Sequence, residues 1–242
     1  MAILRDHVAV VTGASSGIGR AIALALAAEG AALCLVGRSL ETLEEVAEAA
    51  RPAARRVRSH RADLTVDGDV RNLVADIERD WRAVDVLVHG AGVIASGELA
   101  VAPVEVFDWQ YRTNVRAPYA LTQALLPLIK SRRGQIVFIN STAGLGAKAT
   151  LSQYAATKQA LRAIADSLRE EVNSVGVRVL SVYPGRTATP MQASVHASEG
   201  RSFVPERLMQ PEDVAAVVVN ALRLPRSAEV TDINMRPMIK AS

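Results

Sequence analysis

Apolar and polar positions alternate in blocks along this chain of 242 residues. Short apolar runs at His7–Thr12, Ala32–Val36, Asp85–Val88, Gln135–Asn140 and Val177–Val182 have the length and continuity of strands buried on both faces. Two more polar stretches, Val57–Leu64 and Glu229–Met235, complete a predicted set of seven strands. Between them, helical spacing of apolar residues predicts helices over Arg20–Glu29, Leu40–Arg51, Val66–Trp81, Pro103–Lys130 and Pro211–Leu224. A further helix carries Tyr154 and Lys158 and runs to about Val175. Gly30, Pro52, Gly176 and Pro225 stand where helix stops belong. Strands and helices in alternation predict an α/β fold: a single domain built on a doubly wound parallel sheet with helices on both faces. Only Ala193–Leu208, with Gly200 and Pro205, lacks clear periodicity, and residues 187–208 are expected to form a substrate lid rather than core.

Composition narrows the function classes. Half the residues are apolar and 4% are aromatic, which suits close-packed helices on a parallel sheet. The formal charge is +3, and the densest basic patch (Arg51, Arg55, Arg56, Arg58, Arg61) has no aromatic residues interleaved for base stacking. That argues against a nucleic-acid partner. Cys34 is the only cysteine, so no internal disulfide forms. No apolar run is long enough for a membrane span, and Met1–His7 contains no leader-like apolar region; a cytoplasmic protein is expected.

The chemistry-bearing residues lie where strands end. The first strand runs into Gly13-Ala-Ser15-Ser16-Gly17-Ile18-Gly19 and directly into a helix. Glycines let backbone approach a pyrophosphate, and a helix N-terminus offers it free N–H groups. After the second strand, Arg38 stands where a dinucleotide fold meets the adenosine ribose, and a guanidinium suits a 2′-phosphate. NADP is therefore the expected cofactor, with NAD less favoured. Tyr154 and Lys158 are four apart, on one helix face, and an ammonium beside a phenol favours phenolate. Ser141, at a strand end, is placed to bond the same substrate oxygen. Asn114 sits inside the long helix four residues before Pro118, which has no N–H for the Asn114 carbonyl. A simple kink and a carbonyl that holds a water both fit. His89 has no carboxylate or serine partner nearby in sequence and reads as a structural residue.

With these motifs in order, the chain resembles the short-chain dehydrogenase/reductase family over nearly its full length. Thr12–Gly19 looks like the family's cofactor loop, Asp63-Leu64-Thr65 like its adenine contact, and Asn114, Ser141, Tyr154 and Lys158 match its catalytic tetrad. Pro184, Gly185, Thr187 and Thr189 look like the segment at the nicotinamide end, and Gly90, Ala91 and Gly92 like the loop after the fourth strand. The resemblance implies hydride transfer between NADP(H) and a small-molecule carbonyl or secondary alcohol, with Tyr154 as proton donor or acceptor and Ser141 as orienter. It further implies that Lys158 lowers the Tyr154 pKa and bonds the ribose, alongside Tyr154, and that Asn114 holds a relay water. No metal is implied. A homo-oligomer, tetramer or dimer, is expected through the helices of Asn114 and Tyr154. Two departures stand out: His89-Gly90 replaces the usual Asn-Asn, and Ser15 and Ser16 stand where NADP-preferring relatives often carry a basic residue. A catalytically silent nucleotide sensor or scaffold is the alternative from another class, and a Rossmann methyltransferase a third. The substrate pocket is expected from residues 94–97, 143–150 and 187–208, with Lys148, His196 and Arg201 weighed as anion contacts against plain surface roles.

Overall fold

A computed structural model describes residues 4–238, so Met1–Ile3 of the N-terminal lead lie outside it. Strands β1 (Val8–Thr12), β2 (Ala32–Gly37), β3 (Arg56–Arg61), β4 (Val86–His89), β5 (Gln135–Ile139), β6 (Arg178–Pro184) and β7 (Asp232–Met235) form one sheet in the order β3-β2-β1-β4-β5-β6-β7. Every pairing is parallel. The period of two divides each strand between two cores: Ala9 and Val11 of β1 join one, Val10 the other. Helices α1 (Gly17–Ala28), α2 (Leu40–Ala50) and α8 (Pro211–Leu222) cover the first face. Helices α3 (Asp67–Asp80), α5 (Ala117–Ser131) and α6 (Ser152–Val172) cover the second. The central strands β4 and β5 are buried throughout, whereas β3 and β7 are the sheet edges and alternate in exposure, which explains their polar sequences.

Strand order reverses between β1 and β4, and Thr12 pairs with His89 at their carboxyl ends. Sheets of this kind bind ligands in the crevice that opens there. The Thr12 hydroxyl braces it, donating to the Val88 carbonyl at 3.2 Å and accepting from Gly90 N at 3.1 Å and Ala91 N at 3.3 Å.

Four elements differ from the sequence expectation. The helix expected over Pro103–Lys130 divides into α4 (Val104–Tyr111), a π-turn at Arg112–Arg116 and α5. Pro118 cannot donate to Asn114, and the wider turn, in which Ala117 N reaches back to the Arg112 carbonyl, absorbs the break without ending the helix. Strand β3 stops at Arg61, two residues before Asp63, whose carboxylate turns the chain by accepting from Thr65 N at 2.9 Å and Thr65 Oγ1 at 2.7 Å. The α6 helix ends at Val172 because its last turn tightens into a 3-10 turn before Gly176 at φ +81°. Within the segment expected as a lid, Pro190–Ser198 is helix α7, capped by Thr189 and burying only His196.

Candidate active site

The glycine turn could hold a phosphate group. Gly13 has φ +65°, and a Cβ there would lie 2.7 Å from Ala91 N, so no other residue fits. Gly17, at φ +53°, faces the Thr189 methyl, 3.0 Å from where its Cβ would stand. Ser16 makes no capping bond and the first turn of α1 carries no acid. The N–H groups of Gly17, Ile18 and Gly19 have no partner among the described residues, while half-buried Ser15 sits in the turn beside them. A pyrophosphate would satisfy these donors at the positive end of α1.

The other expected cofactor residues lie along the same edge of the sheet. Arg38 follows β2, exposed, and helps hold the Asp63 carboxyl below its ordinary range, after the larger effect of the Thr65 bonds. Leu64 packs against the second core. Gly90, Ala91 and Gly92 leave β4. Pro184 ends β6, Gly185 N donates to the Met235 carbonyl at 2.9 Å, and buried Thr187 bridges to Met209. Thr189 Oγ1 accepts from Gln192 N at 3.1 Å and starts α7.

Ser141, Tyr154 and Lys158 converge where β5 meets α6. Ser141 follows β5, and its hydroxyl accepts from Ala143 N at 3.2 Å. Tyr154 and Lys158 lie one turn apart near the start of α6, 8% and 4% exposed. The expected depression of the Tyr154 pKa is absent here. Burial pushes the phenol above its ordinary value, and the neighbouring Ser141 hydroxyl pulls weakly the other way. Lys158 Nζ donates to the Ile139 carbonyl at 3.0 Å and sits 5.8 Å from the centre of the Tyr154 ring. Its own burial lowers it to about 8.

Asn114 is buried in the π-turn. Its side chain accepts from Val93 N at 2.8 Å and donates to the Val93 carbonyl at 2.9 Å and Thr157 Oγ1 at 3.1 Å. The side chain is thus committed to holding the loop after β4. His89 is buried, stacks on Phe138 at 4.9 Å and bonds Thr122 Oγ1 at 2.7 Å, tying β4 to α5. Burial drops its pKa to about 3, so the ring is neutral and structural.

Sequence reasoning missed two residues. Asn140 accepts from Ser141 N at 2.9 Å and donates to the Lys158 carbonyl at 3.0 Å, linking the backbones of two site residues. Gln110, with no exposed surface, accepts from Ala95 N at 3.1 Å and donates to Gln153 Oε1 at 3.2 Å. Asn140 carried a signal, a polar side chain directly after a fully buried strand, whereas Gln110 is the one buried residue of α4 and carried none. On the substrate side, Gly97 N donates to the Thr150 carbonyl at 2.8 Å and joins two of the expected walls. Lys148 and Arg201 are exposed. His196 is not a surface residue: it is buried, 2.9 Å from the Gln192 carbonyl and 3.3 Å from Arg186, whose guanidinium also pairs with Glu199.

A doubly wound sheet, a phosphate-shaped glycine turn at its switch point and a Ser-Tyr-Lys set beside it define the class: an NAD(P)-dependent oxidoreductase acting on CH–OH groups. Residues 7–200 match the family described as short chain dehydrogenase, and the chain belongs to that family. It is 35% identical over 239 residues to an uncharacterized oxidoreductase of Staphylococcus epidermidis, covering 98% of this chain and all of the relative. Among solved structures it is similar to an alcohol dehydrogenase of Thermococcus sibiricus complexed with 5-hydroxy-NADP (28% identity, TM-score 0.89, 98% of each chain). A metagenomic short-chain oxidoreductase in complex with NADP is 30% identical at TM-score 0.84, over 98% of this chain and all of the other. Levodione reductase is 26% identical at TM-score 0.88, over 96% of this chain and 97% of the other.

Proposed function

We propose that this chain is an NADP(H)-dependent oxidoreductase that interconverts a small-molecule carbonyl and a secondary alcohol, with Tyr154 as proton donor and acceptor. The observation that carries the reading is the convergence of Ser141, Tyr154 and Lys158 at the end of β5, beside the crevice that the α1 N-terminus opens. NADP-type ligands in similar solved structures, and Arg38 in place of an acid after β2, favour NADP over NAD.

When bound, the dinucleotide supplies or accepts the hydride. The protein does the rest. The donors of Gly17–Gly19 and Arg38 would hold the two phosphate ends, Asp63 and Leu64 would meet the adenine, and Gly90–Gly92, Pro184, Gly185, Thr187 and Thr189 would frame the nicotinamide half. In reduction, Tyr154 gives its proton to the carbonyl oxygen, which the Ser141 hydroxyl orients. In oxidation, Tyr154 takes the proton back. With the dinucleotide bound, Lys158 would bond the ribose and stabilise the phenolate in place of its bond to the Ile139 carbonyl, and a water on the Asn114 carbonyl would connect it to solvent. Trp109, Tyr111 and Tyr119, exposed on the helices before Tyr154, suit association of copies into a homo-oligomer. Among the described residues no helix is long and apolar enough to cross a membrane; a cytoplasmic location is part of the same proposal.

Titrating NADPH and NADH into the purified protein, followed by turnover with a ketone panel, tests the reading. Tighter NADPH binding with turnover that Tyr154→Phe abolishes is the expected result. Binding without turnover of any carbonyl or alcohol would point to a silent sensor, and tighter NADH binding would overturn the cofactor choice.

A further inference from the structure

The chain from Gly90 to Glu98 belongs to no helix or strand, yet it is held at every second N–H. Val93 N donates to Asn114 Oδ1 at 2.8 Å, Ala95 N to Gln110 Oε1 at 3.1 Å, and Gly97 N to the Thr150 carbonyl at 2.8 Å. That is the spacing of an extended chain paired along one side. Two of the three partners are side-chain amides rather than a neighbouring strand. Gln110 and Asn114 are four apart, 0% and 1% exposed, and present these amides one helical turn from each other.

The orientation of the Gln110 amide is forced. Its Nε2 donates to Gln153 Oε1 at 3.2 Å, and Gln153 Nε2 donates to the carbonyl of Pro103, the N-cap of α4, at 3.0 Å. A carbonyl only accepts and the Ala95 N–H only donates, so one orientation of each amide satisfies the series Ala95–Gln110–Gln153–Pro103. That series ties the run to α4 and α6 together, and Gln153 is the residue before Tyr154.

The tie at Gly97 holds a strained residue. Thr150 has φ +65°, in the left-handed region that a β-branched residue rarely enters. Such a conformation persists where its surroundings over-determine it, and here it serves the bond from Gly97 N. The other end of the run meets the site directly: a Cβ on Gly92 would lie 3.7 Å from Lys158 Nζ. Residues 92–97 therefore follow the start of α6 from Lys158 back to Thr150, and Tyr154 lies between those two points in the chain.

We propose that Gln110 is a positioning residue: braced by Gln153, it fixes the Val93–Gly97 run relative to Tyr154 and so limits the size of the carbonyl compound that reaches the phenol. The proposal rests on the oxidoreductase reading above. An apolar side chain at 110 would leave Ala95 N and Gln153 Oε1 without partners, and the run would keep only its ties at Val93 and Gly97.

Gln110→Met and Gln153→Met remove the amides at nearly constant side-chain length. Initial rates with NADPH give kcat and KM for the smallest and the largest ketone of the panel that the wild type reduces, with denaturant midpoints measured alongside. Both variants are expected to lower kcat/KM for the smallest ketone about tenfold, the worth of one buried hydrogen bond, chiefly through KM. The largest ketone should stay within about twofold and NADPH affinity should hold, so the preference between the two ketones shifts about tenfold. A merely structural role would lower the midpoint and scale both ketones alike, and an unchanged preference in both variants would overturn the proposal. A shift in Gln110→Met alone would overturn the brace to Gln153. Should Gln110→Met fail to fold, Gln153→Met, at a half-buried position, decides by the same ratio. A wild type that reduces no ketone of the panel would remove the oxidoreductase reading, and this proposal with it.

Discussion

Lys158 and Tyr154 share a helix face, but the lysine turns to the Ile139 carbonyl, 3.0 Å from Nζ, and its ammonium stays 5.8 Å from the centre of the tyrosine ring. In this arrangement the phenol is held protonated by burial rather than activated by charge. The site is therefore poised as an acid, and a base only after Lys158 changes partner or the pH rises.

That asymmetry gives opposite pH profiles for the two directions. Under the proposed mechanism, carbonyl reduction uses the neutral phenol and should stay flat across neutral pH, while alcohol oxidation needs phenolate and should climb into the alkaline range. Tyr154→Phe should lose about 10²–10⁴ of turnover in both directions with cofactor affinity nearly unchanged. Initial rates from acid to alkaline pH check this, and an oxidation rate that falls with rising pH would contradict the assignment.

Burying Lys158 also writes a pH dependence into stability. Its folded pKa of about 8 lies below the unfolded value near 10.4, so between those values the unfolded chain binds more protons. Stability contributed by this group thus rises with pH from about 8 to about 10.4, by up to about 3 kcal/mol, and below 8 the full burial cost is present. Urea unfolding of wild type and Lys158→Met across that window should diverge: the wild type gains where the variant does not. Parallel curves would mean the amine is solvated in the folded protein.

Much of this was legible in the sequence, for identifiable reasons. Short apolar runs between helical stretches fixed a parallel sheet, because both faces of β1, β4 and β5 are covered and leave no room for polar alternation. Ser141, Tyr154 and Lys158 are drawn together by β5 and α6, whose ends lie close in sequence. What escaped depends on contacts distant in sequence or on desolvation. The Tyr154 pKa follows from burial and from where Lys158 points, which spacing does not specify. Helix α7 has a weak apolar stripe because its one buried side chain, His196, is polar and is held by Arg186 from the end of β6. Asn140 and Gln110 look like misplaced polar residues until their backbone partners are seen.

Asn140 is the residue that ties Ser141 to Lys158, and removing it should affect chemistry more than folding. Asn140→Ala loses two hydrogen bonds, one buried and one partly buried, and should cost about 2 kcal/mol of stability. Turnover should drop by at least about tenfold, since an ångström of misplacement is expensive in catalysis. Cofactor affinity should hold. Asn140→Asp keeps the acceptor for Ser141 N, loses the donor to Lys158, and should fall between the two. Unchanged turnover in Asn140→Ala at full occupancy would reduce the residue to packing.

His89 supplies an acid-side counterpart. Its folded pKa of about 3 lies below the unfolded value near 6.5, so in that window the unfolded chain takes up a proton that the folded chain refuses. Stability therefore falls as pH drops from about 6.5 towards 3, by as much as about 4–5 kcal/mol from this ring alone. His89→Asn cannot titrate there and keeps a polar group for Thr122, at the cost of the Phe138 stack, about 1 kcal/mol. At pH 7 the variant should be slightly less stable than wild type, with turnover within a few-fold, because His89 touches no Ser-Tyr-Lys atom. On acidification the two curves should converge and cross, with the variant the more stable below about pH 5. Denaturant midpoints at pH 7, 6, 5 and 4 decide it: a constant gap would show that His89 admits a proton in the folded state and that its link between β4 and α5 tolerates charge.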